Sequence, residues 1–524
     1  MFNTIRPYIT KDEPFGPIDS GDIDSGDLKA LLMLFEKHNW IYKNLPSRPS
    51  IIMGRRGSGK THYLRSVFFD KHQQYDYYAE IRTPRVLGQV AKAIQKLSDE
   101  VMFSEMVSEL WDTVLWIAVL LEIRKHPVLQ QNTLNVVNGY LDKMRIRPTD
   151  TVEDALRNVA KILEELINKS GATESDLLWG ADQISLADAK AEVLKDLETA
   201  DKKFAILMDS LDDFQLDIAA VSRSLQGLLK IVGSMNKPRD RVDIRFCLPS
   251  ELYQRFVKLS SNPNKDFRRA LKLQWNATEL VLIGAQRLMF YLALNYPEFY
   301  KNFVHLDLTK RADALTFFSA ALPEKITNQV GYSEETMSYI LRHTQLLPRH
   351  FLMLLNAIFK NPGLTSRLTP FPVSEERILN GVRQMEDFMV REIFVAFNLI
   401  YPTAEETCRR CLPELGHKFT MGDLHRVFTR YGKAVFGNDN LFDFQRMLLE
   451  IGAIGRVIPG NERGLYIKGN FEYTVSHELS ISQEDELCVH PLFSGIYNSG
   501  GKQERPVYPY GSVLDDDDYR EHYE

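Results

Sequence analysis

The segment Gly54–Thr61, with the sequence Gly-Arg-Arg-Gly-Ser-Gly-Lys-Thr, constrains the fold of this 524-residue chain more than any other feature. It satisfies the pattern G-x-x-x-x-G-K-[ST], which forms a tight loop where a strand is followed by a helix. Pro49–Met53 has the apolar character of a short buried strand, and Thr61–Phe69 has the pattern of a helix. The segment therefore predicts the first strand–loop–helix unit of an α/β domain.

The residue types in this loop suit an anionic ligand. Glycines allow successive backbone amides to turn toward phosphate oxygens, a lysine neutralises β- and γ-phosphate charge, and a threonine hydroxyl can bind Mg²⁺. The dipole of the following helix adds positive potential. The predicted phosphate ligands are Gly54, Gly57, Ser58, Gly59, Lys60 and Thr61. The alternative is a glycine-rich turn that binds nothing.

Three more apolar segments predict further strands of the same sheet. Tyr75–Ile81 has the pattern of an extended segment, and Phe204–Met208 is a continuous apolar run. Val242–Leu248 begins with alternating apolar and polar residues, as expected for a less buried strand. A helical pattern separates the last two at Ile218–Met235, and a long helical region runs from about 86 to 200. Strands separated by helices predict a doubly wound parallel sheet.

Carboxylates follow the central apolar strand. Asp209 stands directly at its end, where a carboxylate can reach a Mg²⁺ ion. Asp212 and Asp213 come three and four positions later and could polarise an attacking water molecule. Either of these two could instead cap the next helix.

With these acids the segment Phe204–Phe214 (FAILMDSLDDF) resembles the second nucleotide motif of STAND ATPases, which are relatives of the AAA+ class and of origin-recognition ATPases. The resemblance implies ATP and Mg²⁺ as ligands, Asp209 as the residue that organises the metal, and Asp213, or else Asp212, as the residue that activates water. In ordinary AAA+ proteins a Glu directly follows the Asp, whereas this chain has Ser210. This difference predicts slow hydrolysis.

The resemblance extends weakly as far as about Leu355. Leu346–Leu352 is similar to the proline motif of the lid in these families, which implies that Pro348 touches the base and Arg349 approaches the phosphates. Arg268 and Arg269 lie near where relatives carry an arginine finger for a neighbouring subunit, which implies a homo-oligomer. Surface charges are the alternative for all three arginines. Ser250 is a candidate sensor or a helix cap.

The sequence predicts five regions. They are an amino-terminal linker and helix (1–45) with the duplicated pentapeptide Ile-Asp-Ser-Gly-Asp, the ATPase core (46–276), a helical lid (277–400), a winged-helix-like module (401–497) and a flexible acidic tail (498–524). The tail carries most of the formal charge of −6, since Gly511–Glu524 has six acids and one arginine.

The carboxy-terminal module has the order helix, helix and paired strands that looks like a winged helix. A DNA reader should present a clear basic face, but Ile400–Val475 has only ten basic residues against nine acids. We therefore expect contact with a protein partner or a latch within the chain. DNA binding is the alternative, with Arg456, Arg463 and Lys468 lining the wing.

The remaining features exclude other classes. The four cysteines are too few for a disulfide scaffold, and Cys408-x-x-Cys411 lacks a good second pair for zinc. The apolar window Leu110–Leu121 is too short for a bilayer span and predicts a buried helix. We expect a cytoplasmic protein without a membrane segment.

These observations predict an ATP-binding, Mg²⁺-dependent ATPase that acts as a regulatory switch and signals to a partner. The rivals are a DNA-directed ATPase of the origin-recognition or loader type and a nucleotide-binding scaffold with negligible turnover.

Overall fold

The structure is a computed structural model. It describes residues 2–24, 27–34, 50–65, 75–82, 86–88, 90–91, 103–155, 157–158, 161, 183–209, 219–235, 240–260, 262–266, 270–329, 331–361, 370–437, 440–459, 466–475, 479–497 and 505–512. The chain divides into two compact units. The core unit is Lys43–Gly54 with Lys60–Leu273, and the lid unit is Met1–Tyr42, Arg55–Gly59 and Gln274–Glu524.

The strands in these residues are β1 (Ile51–Gly54), β2 (Tyr77–Arg82), β3 (Phe204–Asp209), β4 (Val242–Pro249), β5 (Ala270–Lys272), β6 (Lys325–Thr327), β7 (Ser333–Glu335), β8 (Lys418–Thr420), β9 (Ile454–Val457), β10 (Ile467–Asn470), β11 (Glu486–Val489) and β12 (Val507–Pro509).

The α-helices in the same residues are α1 (Leu28–Leu34), α2 (Lys60–Arg65), α3 (Phe103–Ile123), α4 (Gln131–Lys143), α5 (Gln183–Thr199), α6 (Ala219–Ser234), α7 (Tyr253–Leu259), α8 (Pro263–Asp266), α9 (Ala277–Asn295), α10 (Pro297–Tyr300), α11 (Arg311–Ala321), α12 (Thr336–Arg342), α13 (Pro348–Phe359), α14 (Glu375–Phe397), α15 (Ala404–Cys411), α16 (Met421–Val427), α17 (Lys433–Phe436), α18 (Leu441–Glu450) and α19 (Pro491–Tyr497).

The core unit is built on a five-stranded sheet in the order β2-β3-β4-β1-β5. Every pairing in it is parallel, so the predicted parallel sheet with helices is confirmed. The helix α2 packs against β1, β3 and β4, while α3 packs against β2, β3 and α6. The residues that follow the strands therefore meet at one edge of the sheet, where the predicted loop begins.

The expectation that β4 is less buried is wrong, because the whole strand is buried between β3 and β1. Its polar side chains have partners that make burial tolerable. The Tyr75 hydroxyl donates a hydrogen bond to the Asp243 carboxylate at 2.5 Å. The guanidinium of Arg245 lies 5.2 Å from the centre of the Tyr75 ring. Alternation of polar residues here marks a buried polar cluster and not a solvent face.

The insertion between β2 and β3 contributes long helices to the core unit. Helix α3 is buried along the predicted apolar window, and its Trp111 indole donates to the Ser224 carbonyl of α6 at 2.8 Å. Helices α4 and α5 pack against each other. The described part of this region is thus a helical layer, in which α3 packs directly on the sheet.

The central helix of the lid unit is α9, which Asn276 and Glu279 begin with a reciprocal capping box. By length and composition it could cross a membrane, but 72% of its apolar window is buried inside the protein. The buried Arg287 of this helix donates to the carbonyls of Phe15 and Leu34. These bonds mark α9 as a helix packed within its unit.

The amino-terminal segment, for which the sequence predicts a linker and a helix over 1–45, packs within the lid unit in its described part. Phe15 is fully buried, and its amide donates to the side-chain oxygen of Asn356 at 2.7 Å. The Asn356 side-chain amide in turn donates to the Gly16 carbonyl at 3.0 Å. Apolar side chains at Ile5, Ile9 and Phe15 supply enough buried surface to hold this segment to the lid unit.

A second five-stranded sheet lies in the lid unit, in the order β12-β10-β9-β11-β8. The antiparallel pair β9 and β10 corresponds to the two strands expected from the sequence. Strands β8, β11 and β12 were not expected, and β11 separates β9 from β8. The winged-helix assignment stays a prediction.

The tail predicted to be flexible over 498–524 contains an ordered strand. Residues Val507–Pro509 form β12, which pairs in parallel with β10 and is buried. The run of four aspartates in the tail begins at Asp515, whereas Val507 and Tyr508 lie in a stretch without acids, Arg505–Leu514. Residues 513–524 lie outside the described part of the chain.

Candidate functional site

The glycine-rich segment begins where β1 ends at Gly54 and finishes where α2 begins at Lys60. The buried Lys60 ammonium donates a hydrogen bond to the Gly54 carbonyl at 3.1 Å, which folds the lysine back along the loop. Gly57 and Gly59 have φ angles of 84° and 86°, in the left-handed region that favours glycine. The spacing of the motif thus follows from the backbone conformation that it must adopt.

The predicted metal residues of the core unit lie together. The Thr61 hydroxyl, in the first turn of α2, donates to Asp209 Oδ1 at 3.0 Å. Asp209 is the last residue of β3, and α2 packs against that strand. Mg²⁺ is usually held by one or two protein oxygens together with phosphates and water, so this pair fits that ion. The sequence predicted both residues.

Ser58 provides a test of whether the loop suits an anion. Its side chain is 1% exposed, and among the described residues no partner lies within hydrogen-bonding distance of its hydroxyl. Its carbonyl accepts a bond from the Trp275 indole at 2.9 Å. An extra Cβ on the neighbouring Gly59 would meet no atom within 4 Å. A buried hydroxyl without a hydrogen-bond partner among the described residues is unfavourable, so a phosphate oxygen that accepted from it would be stabilising.

Pro348 and Arg349 open helix α13, where proline is well suited to the first position. The Arg349 backbone amide donates to the Gly57 carbonyl at 3.3 Å. A Cβ added to Gly57 would lie 2.9 Å from the Arg349 Cβ, so the close approach of these two backbones requires glycine. Within the lid unit, the predicted proline motif therefore contacts the glycine-rich segment.

The Arg349 guanidinium has two acidic partners. It donates to Asp19 Oδ2 at 2.6 Å and to Glu392 Oε1 at 3.3 Å, and its side chain is 15% exposed. Asp19 also accepts the Gly21 amide and caps a short helix within the first copy of the repeated pentapeptide. Arg349 is therefore not a free surface charge. Its approach to phosphates stays a prediction.

Sequence reasoning missed Arg55, which the structure places within the lid unit. Its guanidinium donates to the carbonyls of Glu450 and Ile451 at 3.2 and 3.4 Å. It lies 5.4 Å from the centre of the Phe397 ring and 5.6 Å from that of Tyr473. The motif leaves this position unspecified, and its partners come from distant parts of the chain, so no local signal could have found it.

Several predicted residues lie outside the described part of the chain. They are Asp212 and Asp213, the candidates for activating water, and Arg268 and Arg269, the candidates for an arginine finger. Their roles stay predictions. Ser250 is the first residue of the short helix Ser250–Leu252, whose cap position belongs to Pro249, so it does not cap that helix.

The cysteines sit in an apolar environment. Cys408 and Cys411 are buried on one face of α15, and burial raises the pKa of both thiols, that of Cys411 to about 12. Zinc binding requires the thiolate, which this burial disfavours. Among the described residues, no group of three or more His, Cys, Asp or Glu side chains could hold a metal ion.

The basic residues proposed for a DNA-binding wing are largely engaged. Lys468 is 8% exposed, with its ammonium 4.9 Å from the centre of the Tyr510 ring. Arg456 donates to the Ser480 carbonyl at 3.1 Å, and Arg463 lies outside the described residues. In α18, Arg446 is paired with Glu450 at 2.7 Å. Among the described residues, Lys468, Arg456 and Arg446 thus have partners within the protein, and DNA binding stays the alternative.

Comparison with known proteins yields little. No protein-family model matches the sequence, and no curated protein matches it. Among solved structures, the Aeropyrum pernix ORC2 protein, described with ADPNP–ADP complexes, is similar over 92% of this chain and 96% of its own. The identity is 12% and the TM-score is 0.35. The assignment of function therefore rests on the geometry of the site.

Proposed function

We propose that the chain binds ATP together with Mg²⁺ and hydrolyses it. The observation that carries the proposal is the hydrogen bond from the Thr61 hydroxyl to Asp209, which brings the loop threonine and the strand carboxylate together in the core unit. A glycine-rich turn without a ligand has no need of a buried lysine and a paired acid. The absence of an Asn-Lys-x-Asp motif supports ATP over GTP.

Each residue of the site has a definite task in this proposal. Lys60 neutralises phosphate charge, Ser58 donates its buried hydroxyl to a phosphate oxygen, and Thr61 with Asp209 holds the metal. Mg²⁺, when bound, supplies charge neutralisation for phosphoryl transfer. Asp213, or else Asp212, orients the attacking water. The glycines let the backbone approach the phosphates without steric hindrance.

The same proposal includes a regulatory role. Residues Arg55–Gly59 belong to the lid unit by their contacts, although the residues on either side belong to the core unit. A nucleotide held by Arg55–Gly59 would therefore contact residues that pack within the lid unit. We infer a nucleotide-controlled switch that signals to a protein partner, as in the STAND and AAA+ classes that the sequence resembles.

The experiment that tests the proposal compares two charge-neutralising variants. Asp209→Asn should weaken Mg²⁺-dependent ATP binding, because an amide is a poorer metal ligand than a carboxylate. Asp201→Asn is the matched control, since Asp201 is 89% exposed, pairs with Arg241, and has a φ of 51° that asparagine tolerates. Calorimetric titrations with and without Mg²⁺ give the two affinities.

Equal, Mg²⁺-dependent affinity in Asp209→Asn and in the control would refute the assignment of the metal site. Phosphate release separates the ATPase from a nucleotide-binding scaffold, in which turnover is negligible. Tight duplex DNA binding that weakens steeply with salt would favour the loader type instead.

A further inference from the structure

We propose that Arg55 is a positioning residue that couples the phosphate loop to the carboxyl end of α18, so that ATP binding stabilises this part of the lid unit. The inference rests on the proposed function, since it names the route by which occupancy of the loop reaches the carboxy-terminal sheet. It assigns a task to a loop side chain that the nucleotide chemistry leaves unused.

The first support is electrostatic. The last carbonyls of a helix have no partner within the helix and carry partial negative charge. Arg55 supplies hydrogen bonds to two of them, those of Glu450 and Ile451, from 395 and 396 positions away in the sequence. A guanidinium is always charged and has several donors, so it can bind two carbonyls at once. Gln345 adds a bond to the Ile451 carbonyl at 2.9 Å.

The second support is the aromatic frame around the guanidinium. Phe397 is 3% exposed and Tyr473 is 8% exposed, and both rings lie within the range of a cation–π interaction. The Tyr473 hydroxyl is bonded to the buried His490 at 2.6 Å. The Arg55 side chain is therefore held by a set of fixed groups and cannot move without disturbing them.

The third support lies in the loop itself. The carbonyl of Arg55 accepts a hydrogen bond from the Ser58 amide at 3.0 Å, which closes the turn that carries the buried Ser58 hydroxyl. A change in the position of Arg55 would therefore also change the turn that we propose to bind phosphate. The contact with α18 and the binding of phosphate share the same short segment of backbone.

The expected direction follows from entropy. Phosphate binding fixes the loop backbone, so less freedom remains to be lost when the Arg55 side chain binds α18. ATP should therefore slow opening of the contact. By linkage, removing the contact must weaken ATP binding by the same factor that ATP strengthens the contact.

Hydrogen exchange on the full-length protein, with and without Mg²⁺ and ATP, measures this coupling. In the wild type, ATP should slow amide exchange in peptides covering Leu441–Val457 by about fivefold or more, within the usual range of coupling energies. In Arg55→Met the slowing should disappear, while ATP still binds with an affinity lower by about the same factor. Arg426→Gln, which removes an arginine of α16 that is 70% exposed, should behave like the wild type.

Arg55→Lys keeps the test decisive if the methionine variant does not fold. It retains the charge but has fewer donors and no planar group, so the slowing should be present and smaller than in the wild type. Unchanged exchange over Leu441–Val457 in a wild type that binds ATP, or equal slowing in the wild type and Arg55→Met, would overturn the coupling alone. A wild type that binds no ATP would overturn the proposed function and the coupling together.

Discussion

The two units hold different parts of the glycine-rich segment Gly54–Thr61. In the core unit, Lys60 bonds to Gly54 and Thr61 bonds to Asp209. The motif specifies the first three of these residues, and the apolar strand that ends at Asp209 identifies the fourth. In the lid unit, Arg55 bonds to the end of α18, and Arg349, whose amide contacts Gly57, is paired with Asp19, which lies 330 positions away. The comparison teaches that short sequence motifs identify the core-unit residues, whereas the lid-unit contacts arise only in the folded chain.

The largest effect is expected when the carboxylate proposed to activate water is removed. Asp213→Ala should keep ATP binding and slow hydrolysis by about 10²- to 10⁴-fold, because help with water activation is usually of that size. Asp212→Ala is the matched control and should retain most of the turnover. Phosphate release and calorimetry on both variants give the answer. If Asp213→Ala hydrolysed ATP like the wild type and Asp212→Ala were inactive, Asp212 would be the residue that activates water.

The pH dependence of stability tests the burial of His350 in the lid unit. Burial, with the nearby charges of Arg55 and Arg349, lowers the pKa of His350 from 6.5 to about 3. A lowered histidine pKa gives stability that is fully present above pH 6.5 and is lost as the pH falls toward the folded-state value. Between pH 6.5 and 5 the free energy of unfolding of the wild type should therefore fall by about 2 kcal/mol more than that of His350→Gln.

Urea unfolding followed by circular dichroism at the two pH values measures the difference. Glutamine can still accept the bond that the Gln345 amide donates to His350 at 3.5 Å. An identical loss of stability in the two proteins would show that His350 is protonated in the folded state.

A smaller effect is expected at Arg349. If this side chain reaches phosphate, Arg349→Ala should lower ATP affinity about tenfold, as for the loss of a charged hydrogen bond. Asp19→Asn should raise the affinity several-fold, because it frees the guanidinium from one acidic partner. Asp24→Asn changes the same position in the second copy of the pentapeptide and should have no effect. Equal affinities in all three variants would assign Arg349 to packing alone.

Much of the core was predictable from the sequence for physical reasons. A buried parallel strand requires a continuous apolar run, so Phe204–Met208 predicts β3 and places Asp209 at its end. The loop glycines predict a backbone that only glycine adopts readily. The polar residues of β4 misled the same reasoning, because Tyr75 satisfies Asp243 from a different part of the chain.

The lid unit was less predictable. The strand β12 is three residues long and gains its stability from β10, so no local pattern announces it. The amino-terminal segment is short and rich in turns, and its burial depends on contacts with Arg287 and Asn356. Pairs such as Arg55 with Glu450 join residues that local periodicity cannot connect. Sequence patterns report local conformation and burial, whereas these contacts arise from tertiary structure.

The central claim is that this loop binds the phosphates of ATP, and calorimetric titration of Mg²⁺-ATP into the wild type and Lys60→Ala tests it most directly. Lys60 is 6% exposed and bonded within the loop, so its loss should leave the bound phosphates short of one buried positive charge. We predict binding by the wild type and an affinity at least about 100-fold lower in the folded variant. Equal affinity of the two proteins would contradict the account.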